Sequence, residues 1–95
     1  MTTQSAYIQK AEARLNQWDA QILSAAAKLQ ELKADEKIAQ KERLDAMRAK
    51  RDEAQQKLVE AQVLSEDAWS ELATSATEAW ETLEEGFKNA ARKIH

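Results

Sequence analysis

Ile8, Leu15, Ile22 and Leu29 fall seven residues apart, and Ala11, Trp18, Ala25 and Leu32 follow each of them by three. These are the a and d positions of four heptads, and on a helix they make one continuous apolar stripe. Such a stripe requires the segment to be helical and its face to lie against another helix. Composition agrees. Pro is absent, Gly occurs once (Gly86), and 33% of the 95 residues are charged. The abundant Ala, Glu, Lys, Gln and Leu lose little side-chain entropy in a helix, while β-branched and aromatic residues are too scattered for strands. The chain is therefore expected to be all-α, its long amphipathic helices forming a coiled coil or helical bundle within one domain over 1–95.

Aromatic residues make up only 5% of the chain and mean hydropathy is -0.73, so apolar material for a closed monomeric core is scarce. Cys is absent, which removes disulfide staples. Stability is then expected from helix–helix seams and from homo-oligomerisation, with antiparallel pairing between chains. The N-terminal residues Met1 to Ile8 show no basic and apolar pattern of a signal peptide, and the longest uncharged apolar stretch, 22–27, is too short to span a bilayer. With the lack of Cys, this makes the cytoplasm the expected location.

A hydroxyl of Thr2, Thr3 or Ser5 can cap the first helix. After Leu32 the frame slips: extending it would place Glu36 and Arg43 at a positions, while a new seam begins at Leu44, Met47, Arg51, Ala54, Leu58 and Ala61, offset by one residue. Ser65-Glu66-Asp67 is the best internal boundary, a hydroxyl cap followed by two acids at the positive end of a helix dipole. Ala34-Asp35-Glu36 is a second candidate on the same logic. Cutting at both yields 5–33, 36–64 and 66–94, lengths that suit a three-helix bundle. The middle piece, however, offers only Ile38, Leu44, Met47 and Leu58 as large core residues. The preferred reading is one helix over about 5–64, bent near 33–44, and a second over about 66–93.

The last third repeats itself. Asp67-Ala68-Trp69-Ser70-Glu71-Leu72 returns as Glu78-Ala79-Trp80-Glu81-Thr82-Leu83, eleven residues later, so each copy presents the same face. Trp69, Leu72, Ala76, Trp80, Leu83, Phe87 and Ile94 lie on or beside this stripe. Left in water, its six large members would forgo on the order of 12 kcal/mol at roughly 2 kcal/mol each, more than helix propensity offsets. The face must be buried. Gly86, at its margin, is expected to bring fraying or a soft bend. The apolar weight lies at the two ends of the chain, so Trp80→Ala is expected to weaken the assembly far more than any single change between Lys33 and Lys57.

No site chemistry is legible. The sole His, His95, is the last residue, and neither a Glu-x-x-His pair nor a phosphate-binding Gly-rich loop occurs. No catalytic residue, cofactor or metal is expected, and the protein is not read as an enzyme. Residues 1–64 hold 11 Lys and Arg against 10 Asp and Glu, whereas 65–95 hold 3 against 7. An acidic final third disfavours nucleic acid, and the acids interleaved with Arg48, Lys50, Arg51 and Lys57 make that cluster read as a solvated face. Acidic flanks beside the Trp stripe also disfavour a lipid surface, the rival partner.

With the repeated Ala-Trp segments and the upstream run Lys50-Arg51-Asp52-Glu53-Ala54, the chain resembles short bacterial coiled-coil proteins described as apolipoprotein-like. That resemblance covers most of the length, rests on composition and repeat, and implies amphipathic helices without site residues. The expected function is structural: a coiled coil that self-associates through apolar stripes and holds a protein partner. The helix-packing residues are read as Ile8, Leu15, Trp18, Ile22, Leu29, Leu32, Leu44, Met47, Leu58, Trp69, Leu72, Ala76, Trp80, Leu83, Phe87 and Ile94.

Overall fold

A computed structural model describes residues 2–92, and they are all-α: α1 (Thr3–Leu29), α2 (Ala34–Val63) and α3 (Glu66–Arg92). Consecutive helices run antiparallel, giving an elongated bundle of 53 × 18 × 17 Å. Thr2, in extended conformation, caps α1 by accepting from the Ser5 N–H at 3.1 Å. Ser65 Oγ accepts from the Ala68 N–H at 3.2 Å and so starts α3, as expected at that boundary. The two-residue turn before α3 leaves α2 with orphan carbonyls at its C-terminus. Gln4, from the start of α1, donates its amide to Ala61 O and Leu64 O at 2.8 and 2.9 Å. One side chain thus closes one helix end and ties it to another.

The single helix expected over 5–64 is instead two. The chain turns at Gln30–Lys33, where Glu31 N bonds Lys28 O and Leu32 N bonds Leu29 O in tight i→i−3 contacts, and Lys33 opens α2 with no side-chain cap. The energetic reason is simple. An unbroken helix would leave the stripes of α1 and α2 facing water, whereas the turn costs a few backbone hydrogen bonds and buries Leu15, Trp18, Ile22, Leu44, Met47 and Leu58. At roughly 2 kcal/mol for each large side chain, burial wins. The one-residue slip in the heptad count is the trace of that turn.

The buried positions of α1 are Ala11, Leu15, Trp18, Ile22 and Ala25, members of the heptad stripe. Those of α2 are Leu44, Met47, Ala54, Leu58 and Ala61, all from the offset seam. Ile38, counted above as a core residue, is 68% exposed, and Leu72 is 46% exposed. The middle of the chain is nonetheless part of the core, since Met47 is 2% exposed and Ala54 fully covered. Arg51, at an apparent a position, turns its guanidinium to Asp19 of α1, Nε to Oδ1 at 2.8 Å. That bond, with the Asp19 and Asp52 charges, raises the Arg51 pKa further.

α3 continues unbroken through Gly86 to Arg92, where fraying or a bend was expected. Phe87 is buried, and Ala90 and Ala91 pack on the core, so tertiary contact holds the last turns. The stem of Lys50 crosses α3 at Gly86, with its Cε 3.0 Å from where a Cβ would stand. That atom is the mobile end of a long side chain and can swing aside. Gly86→Ala is therefore expected to stabilise the fold by about 0.5–1 kcal/mol, the helix-propensity difference less a small steric cost. A rise of a few degrees in the thermal midpoint would show it.

Candidate functional site

α2 packs closely on both neighbours, whereas α1 and α3 run parallel and approach each other less closely. Aromatic rings hold them apart. Trp18 stacks on Phe87 at 4.4 Å and on Trp80 at 5.6 Å, with interplanar angles of 11° and 6°. Tyr7 meets Trp69 at 5.0 Å and Trp80 edge-on at 5.9 Å. This arrangement uses all five Phe, Trp and Tyr residues of the chain and places them in one seam.

Where α3 is built from small residues, the seam is not filled to the surface. Ala73, Thr74 and Thr77 of α3 face Thr3, Ala6 and Lys10 of α1 across a groove of about 490 Å³, with Tyr7, Trp69 and Trp80 beneath and Glu78 and Glu81 on the α3 edge. A smaller recess of about 270 Å³ lies on the other flank of α3, beside Leu72, Ser75, Ala76 and Ala79. Both exist because side chains of the run 73–77 are too short to cover the rings next to them.

The groove is apolar in its chemistry. Trp69 Nε1 donates to Thr3 Oγ1 at 2.9 Å, and Thr77 Oγ1 to Ala73 O at 2.9 Å. Trp80 Nε1 donates to Glu84 Oε1 at 2.7 Å, and the same oxygen takes Arg14 Nε at 3.2 Å, a chain of contacts linking α3 to α1. With the indole donors satisfied internally, the groove suits an apolar surface with a charged rim better than a polar small molecule. Among the described residues no three His, Cys, Asp or Glu side chains gather as a metal site would require. Among the same residues no helix is long and apolar enough to cross a membrane.

Tyr7 is a titratable group partly buried in this seam. Burial, reinforced by the Glu60 carboxylate, raises its phenol above the usual range. The folded state thus holds the proton more tightly than the unfolded one. Its contribution is complete below the ordinary tyrosine value of about 10 and is lost as pH climbs through the raised folded value. Denaturant midpoints at about pH 9 and pH 11 are expected to differ less in Tyr7→Phe than in the parent.

Of the predicted packing residues, Leu15, Trp18, Ile22, Leu44, Met47, Leu58, Trp69, Trp80, Leu83 and Phe87 are buried within this one chain. Ile8 and Leu29 pack on the core in part, Leu32 is half-buried in the turn, and Ala76 lies half-buried in the α3 recess. Leu72 is largely outside the core, and Ile94 lies outside the described residues. Sequence reasoning did not single out Ala6, Tyr7, Lys10, Thr74 or Thr77, which border the groove. The signal was the uninterrupted run of small residues Ala73-Thr74-Ser75-Ala76-Thr77 between two Trp. No protein-family model, curated protein or solved structure matches the chain.

Proposed function

We propose that this protein is a non-catalytic helical interaction module that self-associates, seating a helix in the groove between α1 and α3, and that it offers the same surface for scaffolding in the cytoplasm. The observation that carries this reading is the groove: an aromatic floor, small-residue walls and a charged rim, larger than the recess on the other flank of α3. Small residues let a helix backbone come near, as at close helix crossings generally. The stripes first assigned to self-association are spent inside the chain, which moves the proposed interface to this open seam. Because Trp69 and Trp80 are already covered, the surface left to bury is modest. Association on the order of micromolar affinity is what so small a patch supports.

Light scattering over a wide concentration range tests the reading. The expected result is a mass above one chain at high concentration, lost in Thr74→Glu, whose charge would stand in the groove, while helical content is unchanged. A chain that stays monomeric throughout and changes only when vesicles are added would replace this reading with the lipid-surface one.

A further inference from the structure

We infer that the helix seated in the groove is α1 of a second copy, and that the two copies run parallel about a two-fold axis along the bundle. This rests on the self-association just proposed and adds which surfaces meet and in which direction. The groove carries opposite charges on its two edges, Lys10 on α1 and Glu78 and Glu81 on α3. They stand at one level, because Tyr7 touches both Trp69 and Trp80, and Arg14, one turn beyond Lys10, pairs with Glu84.

A two-fold axis along the bundle sets α1 of each copy over α3 of the other at the same height. Lys10 of each then faces Glu78 and Glu81 of its partner, so one contact is made twice. Turning the partner end for end instead sets α3 against α3. Residues 66–87 hold seven Asp and Glu and no Lys or Arg, so that arrangement opposes acid to acid. Charge selects the parallel pair.

The outer face of α1 has the shape to enter such a groove. Ala6, Ala13, Ala20 and Ala27 recur at seven-residue spacing, and all four are exposed. They form a narrow ridge whose first member, Ala6, stands at the level of the groove. Ala6 and Lys10 belong to both ridge and groove edge, so the two surfaces are adjacent on each copy, as an isologous interface requires.

Charge reversal at exposed positions tests this without disturbing the core. Lys10→Glu alone, and Glu78→Lys with Glu81→Lys, are each expected to weaken dimerisation by about tenfold at low salt, and the triple variant to restore it to within about threefold. Circular dichroism serves as the check that each variant remains folded. If the protein dimerises but ignores the charge reversals, or the triple variant is not rescued, the parallel arrangement is overturned and self-association stands. If no dimer forms at any concentration, both fall.

Discussion

Trp80→Ala is expected to destabilise the fold by about 3–5 kcal/mol, the range seen when a large buried aromatic is removed. The side chain is 3% exposed and is the centre of the aromatic seam, touching Trp18 and Tyr7 from α1. Its removal opens a cavity that α1 and α3 cannot close, because Phe87 and Trp69 still prop them apart on either side. A domain of this size has about 5–15 kcal/mol in all. The thermal midpoint should therefore fall on the order of 20 °C, given about 4–8 °C per kcal/mol. Trp80→Phe keeps most of the ring contact and forfeits the bond to Glu84, so thermal unfolding should place it well above the Ala variant.

The second large effect lies where the sequence looks weakest. Met47→Ala is expected to cost about 2–5 kcal/mol, despite a charged neighbourhood, because Met47 is the largest fully buried side chain and sits among the C-terminal ends of α1 and α3. Ile38→Ala, nine residues earlier, should fall within about 0.5 kcal/mol of the parent, as surface changes do. Within the stretch between Lys33 and Lys57, set against Trp80 above, the structure draws a position-by-position contrast. Chemical denaturation of the two variants side by side measures it. Equal midpoints would mean that α2 does not pack through the 44–61 seam.

What could be read from the sequence was whatever depends on one helix at a time. Heptad spacing located the buried face of α1, the offset seam located that of α2, and Ser65 marked the start of α3, because caps and stripes are local properties of a chain. The turn at Gln30–Lys33 was not legible as a turn. It uses no Gly or Pro and no side-chain cap, so its marks are the register slip and the acids Asp35 and Glu36 in the first turn of α2, and neither demands a reversal of the chain. Contacts between helices were likewise hidden. Gln4 at the end of α2, Asp19 with Arg51 and Arg14 with Glu84 each depend on the direction of the neighbouring helix, which the turn decides. The groove escaped notice for a related reason. Small residues between two Trp read as filler on an isolated helix and become an opening only when a second helix is propped at aromatic distance.

The apolar stripes meet within one chain, which leaves the α1/α3 groove as the proposed surface for association. Light scattering and circular dichroism through a hundredfold dilution test it directly. Particle mass is expected to fall to that of a single 10.7 kDa chain while helical content and blue-shifted Trp emission persist. Helicity that disappears together with the oligomer would contradict it, because the stripes would then be pairing between chains.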